Sequence, residues 1–280
     1  MLRNANASFA EVLALAVADL TEKGYADAAR LDAWLMRLRF AAMSEWTDQS
    51  DLQNKIQAAL SAALKRGISP SATLRHHPGV SRFSIELIKP QLRTELHRRV
   101  RASVDLIKLN REQSTEKMLQ RFAGWATSIP EGGSRAVDKN AVKSHVAKSI
   151  KSLSYEERRV AIDQGHKLMS AVNATIAQQT GAIAMRWRSH WRQVGYDYRE
   201  DHKERDQKIY AIRGSWAMDQ GLINQGDGYL DGITQPAEEV FCRCYGVYLN
   251  NLRDLPKEML TAKGREAMDK FSLPRVQNAA

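Results

Sequence analysis

Cys242 and Cys244 are the only thiols in the chain, and a single arginine, Arg243, stands between them. In the stretch "EEVFCRCYGVY" a strand would place both sulfurs on one face and send Arg243 to the other. A disulfide across so short a span is badly strained. Two outcomes are open. The pair can be buried as small apolar side chains, a frequent fate of free cysteine. Alternatively, it forms half of a zinc site completed by a histidine and one further ligand. The nearest upstream candidates are His202 and Asp206, one helical turn apart.

A second group of chemically capable residues lies in "MRWRSHWRQVGYDYREDHKERD". At helical spacing Trp187 and Trp191 share a face, and Arg188 and Arg192 form a parallel row. Arginine beside exposed aromatics suits stacking on nucleic-acid bases. The same tryptophans also continue an apolar stripe through Ile176 and Ile183, which would bury them instead. Arg199 and His202 follow, three apart, among Asp201, Lys203, Glu204, Arg205 and Asp206. This mixed cluster is either a catalytic site or a solvated surface. Further upstream, Arg93, Arg98, Arg99 and Arg101 make one helical segment a candidate for phosphate contact. "GDGYLDG" lacks the preceding strand and the lysine of a phosphate loop, and it lacks the closing glutamate of an EF-hand. His76 and His77 sit beside Pro78 in a segment expected to be loop.

These residues need elements to hold them. The 280 residues are 43% hydrophobic, enough for a sizeable core and most naturally two domains. No stretch is long and apolar enough to span a bilayer. Ser8 and Glu11 have capping-box spacing, so a helix is expected near the start of the chain, not an export signal. Leu31, Trp34, Leu35 and Leu38 predict a second helix, and Leu52, Ile56, Leu60 and Leu64 a third that stops at Gly67. Pro90 is expected as the first residue of a long helix carrying Leu92, Leu96, Val100, Val104 and Ile107 on one face. "TSIPEGGSR" then reads as a linker. A second long helix, expected from Ser154, carries Val172, Ile176, Ile183, Trp187 and Trp191. "KIYAIRGSW" and "EVFCRCYGVYL" read as strands. The predicted fold is mainly α, with long helices in the N-terminal two-thirds and a small α+β module at the C-terminus. The expected domains are 1–126, helical; 127–153, linker and connecting helix; and 154–280, long helix plus the small module.

The formal charge of +10 and a pI near 9.6 favour polyanionic partners: nucleic acid, an acidic protein surface or anionic lipid.

The ordered set Trp187, Arg199, His202, a Gly/Asp loop, Pro236, and Cys242-Arg243-Cys244 resembles the phage head-morphogenesis family, the minor head proteins of the phage Mu F type. The likeness covers about the last third of the chain. It departs from the family pattern at Glu200, where a proline often follows the arginine, and at "KERDQ", where a glycine often follows the histidine. The resemblance implies a non-enzymatic minor structural protein of a tailed-phage head, made in the host cytoplasm and carried in the virion. Its implied partners are the portal, the inner capsid and packaged double-stranded DNA, and structural zinc is its candidate cofactor. Two alternatives stand beside this reading: a DNA-binding module, and a metal-dependent nuclease built on His202, Cys242 and Cys244.

Overall fold

A computed structural model describes residues 7–46 and 48–272. The chain forms two compact units. The first comprises the chain up to Ile56 together with Arg101–Ala161, and the second comprises Gln57–Val100 together with the chain from Ile162 onward. The fold is mainly helical. Long helices fill the first two-thirds, and a three-stranded sheet with short helices forms the C-terminal part. Among the described residues no helix is long and apolar enough to cross a membrane.

In the first unit, α1 (Phe9–Lys23) begins with the anticipated capping box. Ser8 N donates to Glu11 Oε2 at 2.8 Å, and Glu11 N donates to Ser8 Oγ. α2 (Ala28–Ser44) is capped by Asp27, which accepts from Ala29 N. α3 (Gln49–Gly67), α4 (Pro70–His76), α5 (Arg82–Ala126), α6 (Lys139–Lys151) and α7 (Leu153–Gln179) follow, and α3, α5 and α7 each carry residues of both units. The core of the first unit gathers Leu13, Val17 and Leu20 from α1, Leu31 and Leu38 from α2, Met118 and Phe122 from α5, and Val146 from α6. The segment after α5, expected as a linker, is irregular but packs closely. Ser134 N donates to Thr21 O at 2.8 Å, and Ile129 is buried. Gly24 closes α1 at φ 75°, and a Cβ there would stand 2.1 Å from Pro130 O. Glycine alone fits that combination of left-handed backbone and close approach.

Several boundaries differ from the sequence reading. The stretch around Pro70, expected as irregular, contains α4, because Ser69 caps it and Pro70 takes the first turn. α5 starts at Arg82 and not at Pro90. Ser81 Oγ accepts from Ser84 N at its start, and Pro90 lies inside the helix. The stripe Leu92, Leu96, Val100, Val104 and Ile107 is nonetheless buried.

The largest correction concerns the tryptophans. α7 ends at Gln179 instead of running on to Trp191. Gly181 adopts φ 68°, and Ala182 N reaches back to Ala177 O at 2.9 Å, the six-to-one bond of a Schellman stop. The chain then becomes β1 (Ala184–Arg188), so Trp187 and Trp191 share no helix face, and Arg188 and Arg192 form no helical row. β1 is the middle strand, paired antiparallel with β2 (Ile209–Ala211) and β3 (Tyr245–Leu249). α8 (Glu200–Glu204) lies between β1 and β2, α9 (Trp216–Asp219) follows β2, and α10 (Ala262–Ser272) follows β3.

The sheet is apolar on both faces. Ala184, Ala211 and Leu249 pack with Ile183, Leu222, Ile223 and Met259 on one. Met185, Trp187 and Tyr248 pack with Ala177, Tyr210, Cys242 and Cys244 on the other. This alternation follows from the two-residue period of a strand.

The end of α4 is tied to β3 by two histidines. His76 Nδ1 lies 3.1 Å from Gly246 O, while the His77 ring stacks on Tyr248 at 5.2 Å and lies 3.2 Å from Asn173 Oδ1. Burial disfavours the charged form of His77 more than the Asn173 contact favours it, and lowers its pKa to about 4. A histidine depressed by folding stabilises the native state above its unfolded pKa and loses that contribution as acid is added. The second unit is therefore predicted to lose about 2–3 kcal/mol of stability through this residue between about pH 6.5 and pH 4. Urea midpoints measured across that range would show a shallower pH slope for His77→Gln; identical slopes would contradict the prediction.

Candidate metal centre

Three elements bring the site together. β1 delivers Trp187 and then Ser189 and His190. α8 carries His202 inward. A loop that ends at β3 carries Cys242 and Cys244. The cysteines thus precede the strand instead of lying on it, which corrects the sequence expectation. Their sulfurs converge all the same, because the loop is bent by left-handed residues at Ala237 (φ 64°) and Phe241 (φ 60°). Non-glycine residues hold such conformations only where their surroundings impose them. Here Phe241 N donates to Asp163 Oδ1 at 2.7 Å, and Ser170 Oγ donates to Pro236 O.

His202 Nδ1 lies 3.5 Å from Cys242 Sγ and 3.6 Å from Cys244 Sγ. The three ligand atoms all lie within 4.8 Å of one another, and the residues are 1%, 1% and 4% exposed for His202, Cys242 and Cys244. A tetrahedral zinc with Zn–S of about 2.3 Å and Zn–N of about 2.0 Å has a sulfur–nitrogen edge of about 3.5 Å. The group therefore has the donor types and the spacing to hold a metal ion.

The electrostatics favour charge on Cys244 and oppose it on Cys242. Ala237 N donates to Cys242 Sγ at 3.4 Å, and Ser189 Oγ lies 3.7 Å from Cys244 Sγ. A hydrogen bond from Cys242 is the main influence that draws the Cys244 thiol below its ordinary range. Ser189 and the His190 backbone N–H add to it, against the cost of burial. Cys242 moves the opposite way, because it keeps the proton it shares with Cys244 and is itself buried. One thiolate and one thiol in contact form a site that a cation can enter by displacing a single proton.

Around this group lies a supporting layer. The other His202 nitrogen, Nε2, is buried without a hydrogen-bond partner and lies 3.8 Å from Glu239 Oε1 and 3.9 Å from Asp201 Oδ2. Both carboxylates lie on the side where the second nitrogen of a ligating histidine commonly finds its acceptor, though beyond hydrogen-bond distance. Arg199 holds Glu239 in place by an ion pair, and its Nη2 donates to Val240 O at 3.1 Å. Trp187 is fully buried, with its ring edge against His202 at 5.2 Å. Arg243 N donates to Tyr196 Oη at 3.1 Å, and the Arg243 guanidinium lies over the Tyr196 ring.

The anticipated ligand Asp206 is used elsewhere. It accepts from Ser189 N at 2.9 Å and from Trp191 Nε1 at 3.1 Å, which pins the turn after β1. The arginines proposed for nucleic-acid contact have individual partners or exposure. Arg98 and Arg99 both pair with Glu95, Arg188 donates to Gln207 Oε1, Arg192 stacks over Trp191, and Arg93 and Arg101 are exposed. Glu239, Ser189, Tyr196 and Asp163 escaped the sequence reading. Each acts through a loop whose path is set by positive backbone angles, and no residue spacing announces that path.

No family model, curated protein or solved structure matches this chain.

The assignment of ligands predicts one metal ion per chain in protein purified without chelator. His202→Ala and Cys244→Ser each abolish stoichiometric metal, while Asp206→Asn retains it. Elemental analysis of the folded variants decides, and metal loss in Asp206→Asn alone would contradict the assignment.

Proposed function

We propose that this chain is a non-enzymatic structural protein of a tailed-phage head, of the minor head-morphogenesis type. In this reading a zinc ion on His202, Cys242 and Cys244 staples the C-terminal module. One observation carries the proposal. Residues scattered over nearly sixty positions, Trp187, Arg199, His202, Pro236, Cys242 and Cys244, belong to a single neighbourhood of mutual support. The order of these residues along the chain is what resembles the family, and their convergence gives that order a physical purpose.

The C-terminal module is built on a sheet of only 5, 3 and 5 residues, with a small buried cluster on each face. Modules of that size often depend on a metal for stability. Bound zinc would supply cross-linking between α8 and the loop before β3. The way the polar groups are used also favours a structural role over the nuclease alternative. Arg199 holds Glu239 and Val240 O, Asp206 holds Ser189 and Trp191, and Asp163 holds Phe241 N and Lys167. Burial of all three ligands supports the same choice, since metal catalysis needs an open coordination position and a base in reach. The formal charge of +10 suits a protein that works beside packaged DNA.

Co-expression with the portal protein of the phage or prophage that encodes the chain tests the proposal. The expected result is a complex that survives size-exclusion chromatography, and a deletion that lowers the yield of infectious particles by at least tenfold. Absence of a complex together with a normal particle yield would refute it.

A further inference from the structure

Beside the cysteines, on the other side of Cys244, the second unit contains a cavity of about 320 Å³. α4 contributes Arg75 and His76, α7 contributes His166, the turn after β1 contributes His190, and the approach to β3 contributes Arg243 and Tyr245. No acidic side chain lines it. Two guanidinium groups and three imidazoles, whose charged forms burial disfavours, thus line one partly enclosed volume; the nearby carboxylate of Asp163 acts on His166 and is paired with Lys167. Some arginines elsewhere in the same unit are paired with carboxylates: Arg199 has Glu239, Arg205 has Asp201, and Arg213 has Asp231. Arg243 instead lies over the Tyr196 ring, which holds the guanidinium in place, and among the described residues it pairs with no carboxylate.

We propose that this cavity is a binding site for a phosphate group, carried by a nucleotide or by a DNA backbone, with Arg243 and Arg75 as its principal contacts. Arginine presents a planar fork of donors that matches phosphate oxygens two at a time, and imidazole N–H groups add single donors. A partly enclosed site strengthens each of these contacts relative to open solvent. The volume falls within the range of small-ligand pockets and admits a mononucleotide. Rings of Tyr245 and the histidines offer faces against which a base can stack. The positive character of the cavity is already felt inside it. After burial, the charge of Arg243 is the next influence holding both His166 and His190 below their ordinary pKa. The inference does not depend on the head-protein reading, nor on metal at the neighbouring cysteines.

Isothermal titration of the full chain with inorganic phosphate, with a deoxynucleoside 5′-monophosphate and with a short single-stranded deoxyoligonucleotide provides the test. Saturable one-to-one binding of the mononucleotide is expected, weakened at least tenfold by Arg243→Gln and severalfold by Arg75→Gln. Arg75 is exposed on α4, so its variant keeps the test valid even if Arg243→Gln fails to fold. Similar affinities for phosphate and mononucleotide would uphold the site with a free phosphate ester as ligand. An oligonucleotide at least tenfold tighter, displaced by the mononucleotide, would uphold it with the DNA backbone as ligand. The proposal is overturned if neither phosphate nor mononucleotide saturates, if an oligonucleotide binds without them, or if affinity is unchanged in the folded arginine variants.

Discussion

Two sulfurs and one imidazole nitrogen share a space a few ångströms across, out of contact with water, and the C-terminal module is arranged to keep them there. Such a cluster is costly to bury in neutral, unpaired form, because an imidazole leaves at least one nitrogen needing a partner. The chain answers with backbone donors aimed at sulfur, with carboxylates behind the histidine, and with the buried Trp187 ring packed edge-on against its ring. A cation at the convergence point would satisfy both sulfurs and Nδ1 together. The left-handed residues Ala237 and Phe241 follow from the same requirement, since a regular strand through Cys242 and Cys244 would not bend the chain around α8.

Helix periodicity made most of the helical body legible. The α1 capping box, the α2 stripe and the α3 stripe stand where the spacing of Ser8 and Glu11, of Leu31 and Leu38, and of Leu52 through Leu64 predicts them. The reading failed where an apolar run had two possible periods. Ile183 and Trp187 fit a continuation of α7 at four-residue spacing, yet Ile183 lies just before a strand and Trp187 within it, and they join different buried clusters. The Thr-Gly pair at Thr180 and Gly181 was the available signal, because glycine there permits a Schellman stop that Ala182 completes. Pro90 misled in the other direction. A proline suits the first turn of a helix, but inside a long helix one missing bond can be outweighed by the buried stripe around it.

At the site, residue types were legible and geometry was not. Cys242, Cys244 and His202 are candidate ligands from chemistry alone, and they converge. Asp206 was chosen on the assumption that one helix carries it with His202, but α8 ends at Glu204, and Asp206 faces Ser189 and Trp191 instead. Glu239 takes the place behind the histidine, three residues before Cys242, in a loop without periodicity. The excess of positive charge was also visible, but its distribution was not. Much of it is paired on helix surfaces, as at Glu95, while an unbalanced portion collects in the cavity between α4, α7 and β3.

The central claim is that a metal at His202, Cys242 and Cys244 holds the sheet module together. Hydrogen exchange read by mass spectrometry, with and without a strong chelator, tests it most directly. The account predicts that chelation strips protection from the amides of β1, β3 and the 236–244 loop, while α1, α2 and α6 exchange as before. Equal protection of the sheet in both conditions would contradict it.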